Sequence, residues 1–306
     1  MPAPERVPPR RVSGTAVGDL RTVLAQGALT VRGRIRDASN AVLFGAVEHD
    51  GVSLSCVYKP VAGESPLWDF PHGTLAAREV AAYEVSEATG WGLVPATVLR
   101  DGPYGEGMCQ EWVGAPPDEA TGPAADPDAP EPGREPDPAP EEEPEQAGLF
   151  ALVEGESPGA GWRTVGHAET ADGRPALFVH ADDPRLRRLA VLDAVINNAD
   201  RKGGHLLTTR DGGLRAIDHG VTFHADDKLR TLLWGWADEP LTGEALAVLE
   251  DLRGALTGAA PLAARLDGLI TAAELDALRA RVGHLLASGR HPAPGGGWPA
   301  IPWPPL

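Results

Sequence analysis

Residues 115 to 147 constrain the fold most, because they cannot belong to a core. This stretch holds ten prolines, eleven acids and one base, Arg134, and apart from Thr121 it has no aromatic or β-branched residue. Such a segment cannot bury enough apolar surface to offset its ordering entropy. It reads as a disordered insertion, either a solvated spacer or an acidic tether that competes for a basic surface. The folded parts must then lie on either side, over 28–114 and 148–288. An extension precedes them over 1–27 and a Pro/Gly/Trp tail follows over 289–306. The insertion also carries −10 of the formal net charge of −17. The remainder is only mildly acidic, and neither part suits general nucleic-acid binding.

Ahead of the insertion, the runs Leu29–Ile35, Ala41–Glu48 and Val52–Lys59 read as strands, with Asp50-Gly51 as a hairpin turn. A helical pattern follows from Thr74 to Ala88, with Thr74 as N-cap and Gly90 closing the end. Ala96–Leu99 and Gly107–Val113 complete a sheet of five strands with one helix. Beyond the insertion, Ala176–Val179 reads as a strand and Arg185–Asn198 as a helix. Short strands at His205–Thr209 and Leu214–Ile217 come next. Helices over Thr242–Leu256 and Thr271–Ala287 follow, the last with a capping box of Thr271 and Glu274. The pattern predicts an α+β, two-lobed fold with a β-rich first lobe and a mainly helical second lobe. The tail's Trp298 and Trp303 are expected to pack on their own domain, the alternative being a tail that docks a partner in polyproline form.

No window supplies the ~18 apolar residues of a membrane span, and no apolar run follows the first arginines. A cytoplasmic protein is expected. Cys56 and Cys109 match no metal or redox spacing, and Cys56 reads as a small core residue.

The residues that could carry chemistry fall in a suggestive order. Phosphoryl transfer needs a lysine on the phosphates, a carboxylate to hold it, a carboxylate for the metal and another for the hydroxyl. Lys59 stands at a strand end, before Pro60. Glu79 lies twenty residues on, within the first helix, while Glu84 and Glu87 read as solvated. Asn197-Asn198-Ala199-Asp200-Arg201-Lys202-Gly203-Gly204-His205 follows a helix and precedes a tight hairpin. Asp218-His219-Gly220 then leaves a strand, with Gly220 permitting a sharp turn. His219 and His224 read as packing or solvent-facing residues.

This segment resembles the catalytic and metal-binding loops of the phosphatidylinositol 3-/4-kinase superfamily, including its HipA-like bacterial relatives. Tyr58-Lys59-Pro60, the helix of Glu79 and Tyr83, and Val94-Pro95-Ala96-Thr97 fit the same superfamily's amino lobe. The resemblance covers about residues 28 to 225 without the insertion. It implies that Lys59 contacts ATP phosphates, Glu79 holds Lys59, Asp200 is the catalytic-loop carboxylate and Asp218 is the main Mg²⁺ ligand. It also implies a hinge at Gln110-Glu111-Trp112-Val113, where adenine meets backbone at Glu111 and Val113.

The chain departs from that pattern at three places. His205 stands where the family has a metal-binding Asn, which favours Mn²⁺, a water-mediated contact or loss of the second metal. Lys202 replaces a His and supplies positive charge near the transferred phosphate. The phosphate-covering turn Asp37-Ala38-Ser39-Asn40 lacks glycine, leaving Ser39 and Asn40 to contact phosphate. The expected function is ATP-dependent phosphotransfer to a hydroxyl of a protein or soluble substrate. A nucleotide-binding pseudokinase, a lipid kinase and a nucleotidyl transferase are the other readings.

Overall fold

The structure, a computed structural model, describes residues 17–35, 40–117, 148–170, 172–296 and 299–305. Ser39, Trp298 and the insertion from residue 118 onward lie outside the described residues.

The amino part is a five-stranded antiparallel sheet. Its strands are β1 (Ala28–Arg34), β2 (Leu43–His49), β3 (Val52–Pro60), β4 (Thr97–Gly102) and β5 (Gly105–Glu111), in the order β1-β2-β3-β5-β4. The β2–β3 turn is tight because Asp50 and Gly51 both take positive φ, at 47° and 78°. β5 lies close against Lys59 because residue 107 is glycine. A Cβ there would sit 2.4 Å from the Lys59 carbonyl oxygen.

Two helices cover opposite faces of this sheet. Helix α1 (Val17–Gln26), which the sequence reading did not anticipate, places Val23 and Leu24 in the cluster of Val47, Cys56, Val98 and Cys109. Helix α2 (Leu75–Thr89) packs Ala76 and Val80 on Met108, whose side chain points opposite to that of Cys109. Thr74 caps α2 by accepting the Ala77 N–H at 3.0 Å, and Gly90 ends it in a left-handed turn.

Helix α2 has no solvent-facing side along its middle. Every residue from Ala76 to Ser86 is buried, including Arg78, Glu79 and Glu84. Glu84 is therefore not solvated: its carboxylate, 2% exposed, pairs with Arg21 of α1 and with Arg265.

The carboxyl part opens with a three-stranded antiparallel sheet of β6 (Phe150–Glu154), β7 (Trp162–Glu169) and β8 (Pro175–Ala181), ordered β6-β8-β7. Only β8 was anticipated, since β7 is polar and contains Gly166. Helix α3 (Pro184–Ile196) follows, capped by Asp183. Strands β9 (Leu206–Thr208) and β10 (Leu214–Ala216) form a hairpin. Helices α4 (Gly243–Ala255), α5 (Pro261–Asp267) and α6 (Ala272–Ser288) complete the core, with the Thr271–Glu274 capping box in place. The architecture is thus α+β and protein-kinase-like, with a β-rich amino lobe and a mainly helical carboxyl lobe. Among the described residues no helix is long and apolar enough to cross a membrane.

Candidate functional site

Lys59, Glu79 and Asp218 meet where the two lobes face each other. The Lys59 Nζ donates to Glu79 Oε1 at 2.7 Å and to Asp218 Oδ1 at 3.0 Å. Burial works against the ammonium, but the two carboxylates outweigh it and hold its pKa above the ordinary lysine range. The same ammonium, against the effect of burial, holds the Asp218 carboxyl below the usual carboxylate range. Glu79 spends its second oxygen on the His219 backbone N–H at 2.9 Å. One buried carboxylate thus grips both the β3 lysine and the loop that carries Asp218.

That loop turns at Asp218 itself, which adopts φ 62°, a region costing a non-glycine residue roughly 1 kcal/mol. The positive φ expected of Gly220 falls two residues earlier. Gly220 instead allows close approach, since a Cβ there would lie 3.2 Å from Leu75 Cβ. Asp218 is held from both sides: Ile217 N–H donates to the His205 carbonyl at 3.0 Å, and His219 N–H donates to Glu79.

The Asp200 loop is built around a buried ion pair. Arg201 is fully buried and binds both oxygens of Asp193 through Nε, at 3.2 and 3.0 Å. Its Nη1 donates to the Ile217 carbonyl at 3.0 Å, and its Nη2 lies 2.6 Å from His219 Nε2. Burial first, and then the Arg201 charge, push the His219 pKa well down. The ring is therefore neutral, accepting from Arg201 through Nε2. Asn198 adds an Asx turn, its Oδ1 taking the Asp200 N–H at 3.0 Å. Asp200 is left facing the cleft, with Lys202 Nζ 3.0 Å and Arg230 Nη2 3.6 Å from its oxygens.

A cleft of about 340 Å³ opens beside this cluster, with Asn40, Asp69, Phe70, Asp200, Asp218 and Arg230 among its walls. Asn40 borders it, and its Oδ1 accepts the Ser65 N–H at 3.0 Å. The expected hinge residues Gln110 to Val113 are not among this cleft's walls. Their amides are partly engaged already: Glu111 N–H bonds the Ala96 carbonyl and Trp112 N–H the Ser55 carbonyl, both at 2.9 Å. Burial raises the Glu111 carboxyl pKa. Val113 follows the strand end, half-buried.

His205 Nε2 lies 3.4 Å from Asp218 Oδ2, and its Nδ1 is buried without a partner. Burial lowers its pKa, only partly countered by Asp218, so the neutral ring can offer a nitrogen. Among the described residues no group of three or more His, Cys, Asp and Glu side chains could hold a metal ion. Asp218 and His205 fit an ion that draws its remaining ligands from phosphate and water, the usual mode for nucleotide-bound Mg²⁺. An imidazole donor suits Mn²⁺ better than Mg²⁺.

Several supports were not visible in the sequence. Arg78, 2% exposed, donates to the Thr222 carbonyl at 2.6 Å and to Glu274 at 2.5 Å, joining α2, the Asp218 loop and α6. Glu64 accepts the Leu75 and Ala76 N–H groups at 2.9 and 2.8 Å, placing an anion on the α2 amino end. Asp193 reads in the sequence as one polar residue on a helix, with no signal that Arg201 lies buried against it.

The fold and this cluster define a protein-kinase-like chain. No protein-family model matches it. It is 49% identical over 286 residues to Protein Rv2133c of Mycobacterium tuberculosis, covering 94% of this chain and 95% of that protein. The chain belongs to the family of that protein. A stretch of 76 residues is 36% identical to phosphatidylinositol 4-kinase gamma 3 of Arabidopsis thaliana, over 22% of this chain and 13% of the plant protein. Among solved structures, the Golgi casein kinase matches with a TM-score of 0.46 and 13% identity, over 91% of this chain and 79% of that one. The Helicobacter pylori proinflammatory kinase CtkA matches with a TM-score of 0.40 and 9% identity, over 87% and 93%.

Proposed function

We propose that this chain is an ATP-dependent phosphotransferase that moves the γ-phosphoryl group to a hydroxyl of a protein or soluble substrate. One observation carries this reading. A single ammonium, Lys59 Nζ, lies within 3.0 Å of both a helix carboxylate and the Asp218 carboxylate. Phosphoryl transfer rests on positioning and charge neutralisation, and these are its parts. Lys59 holds phosphate oxygens, and Glu79 fixes Lys59. Asp200 orients the acceptor hydroxyl, and Lys202 offsets charge beside it. Asn40, with Ser39, covers the phosphates, and the backbone at Glu111 and Val113 meets adenine. Asp218 and His205 would hold Mg²⁺ or Mn²⁺, which when bound neutralises phosphate charge.

The local match to a plant phosphatidylinositol 4-kinase supports a PI3/PI4-kinase-like relationship. A lipid acceptor fits less well. Among the densest cationic groups, Arg201 is fully buried on Asp193 and cannot face an anionic membrane surface, and Arg187 and Arg188 are paired with Glu239 and Glu244.

The test pairs ATP-binding calorimetry in Mg²⁺ or Mn²⁺ with transfer of label from γ-labelled ATP. Binding and labelling, both lost in Asp218→Ala, are expected. Binding without transfer would instead mark a pseudokinase, as His205 in a metal position suggests. Transfer from α- but not γ-labelled ATP would mark nucleotidylation, and absence of binding would sink the reading.

A further inference from the structure

Trp303 of the carboxyl-terminal tail does not pack on its own domain. Trp303 is 85% exposed, yet the backbone of residues 299–305 is tied to Gly203, at the end of the Asp200 loop, and to Thr231 and Trp234. The Pro305 carbonyl accepts the Gly203 N–H at 2.9 Å. The Ala300 carbonyl accepts the Thr231 N–H at 3.1 Å and the Trp234 Nε1–H at 2.8 Å.

These bonds continue into the site on both sides. Thr231 is bridged to Arg201, Arg201 N–H donates to the Arg230 carbonyl, and Arg230 N–H donates to the Asn198 carbonyl, the last two at 2.9 Å. The loop from Asn198 to Arg201 is thus laid against 230–231, which is in turn laid against Ala300. Gly203 begins the 3-10 turn Gly203–His205. The far end of that turn, the His205 carbonyl, holds Ile217 N–H, the residue before Asp218. One turn therefore stands between the Pro305 contact and the residue before Asp218, while Asp200 lies three residues ahead of Gly203.

We infer that the segment 299–305 is a positioning element, a backbone clasp that fixes Asp200, Lys202 and Asp218 relative to one another. The inference rests on the phosphotransferase reading for its catalytic consequence. Its structural half, that the clasp orders the loop, stands independently. Peptide carbonyls serve this role well, because they fix backbone placement without titrating or competing for metal.

Two substitutions release the clasp while sparing the fold. Trp234→Phe keeps the buried ring and deletes one donor to Ala300. Gly203→Pro deletes the donor to Pro305; Lys202 is extended, at φ −92° and ψ 161°, and the first position of a helical turn accepts proline. In the full chain, amide hydrogen exchange over 198–206 should accelerate at least about tenfold in either variant. The kcat for ATP hydrolysis with Mn²⁺ should fall about ten- to a hundredfold at unchanged KM for ATP, as expected for misplaced groups. Unchanged exchange in both variants would overturn the clasp. Faster exchange with unaltered kcat would overturn its positioning role. Should the parent chain show no turnover, the phosphotransferase reading fails, and exchange alone decides whether the segment orders the loop.

Discussion

The carboxylate of Glu79 accepts the backbone N–H of His219 at 2.9 Å, while its other oxygen takes Lys59 at 2.7 Å. Helix α2 therefore sets the Asp218 loop directly as well as through the lysine. Glu79→Gln keeps a side-chain oxygen for His219 but removes the charge opposite Lys59. Breaking a buried pair costs up to 3–5 kcal/mol, and the second partner, Asp218, should limit the loss here to about 1–3 kcal/mol. Urea unfolding would measure this. Calorimetry should show weaker ATP binding, since Lys59 would turn wholly toward Asp218.

Arg78 and Glu274 form the other buried tie of α2, at 2.5 Å with side chains 3% and 8% exposed. Arg78→Met alone should destabilise the chain by about 3–5 kcal/mol, leaving the buried Glu274 charged without its cationic partner. The double variant Arg78→Met/Glu274→Gln should recover part of this, because no buried charge remains. The recovery is incomplete, since Thr222 and His72 lose the guanidinium that bonds their carbonyls. A double-mutant cycle in denaturant reads the coupling, and additive effects would contradict the pairing.

The sequence carried the strand–turn–strand rhythm, the capped α2 and the Asp200-to-Asp218 spacing, because these depend on local periodicity and turn chemistry. It did not carry what depends on distant contacts. Helix α1 was missed because it is short and its apolar residues gain meaning only against the sheet. Glu84 read as a solvent-facing charge, since burial of a charge is visible only once its partner is located. Cys56 and Cys109 lie 53 positions apart, but adjacent strands bring them together in the core beneath α1. They touch because Cys109 opposes Tyr58, two residues from Cys56.

Acid should weaken the carboxyl lobe before its carboxylates protonate. His180 accepts the Gly235 N–H through Nε2 at 3.1 Å and lies 2.8 Å from the Ala181 carbonyl through Nδ1, an arrangement that needs the neutral ring. Burial pushes its pKa down to about 4, and burial does the same to His291. In the unfolded chain both titrate near 6.5. The unfolded state then binds more protons between these values, so stability is complete above about pH 6.5 and falls as pH drops toward 4. Each histidine contributes a slope of up to about 1.4 kcal/mol per pH unit. His180→Gln should be less stable at pH 7 but show a shallower loss of melting temperature between pH 6.5 and 4.5. An unchanged slope would exclude His180 as a source of the acid sensitivity.

His205 gives the sharpest test of the metal assignment. Its Nε2 points at Asp218 from 3.4 Å, and its buried neutral ring can supply one nitrogen donor. His205→Asn replaces that nitrogen with an amide oxygen, a harder donor that suits Mg²⁺. The variant should bind ATP more tightly with Mg²⁺ than the parent does, and should lose any preference for Mn²⁺. The expected shift in the Mg²⁺-to-Mn²⁺ affinity ratio is on the order of tenfold, about 1.4 kcal/mol. His205→Ala separates the donor from the space it fills, and should weaken binding with both ions. Parallel calorimetric titrations of ATP in each ion make the comparison, with unfolding curves to show that the turn from Gly203 to His205 survives. Should the ratio stay constant across all three chains, His205 does not face the ion, and Asp218 alone supplies the protein's share of its coordination.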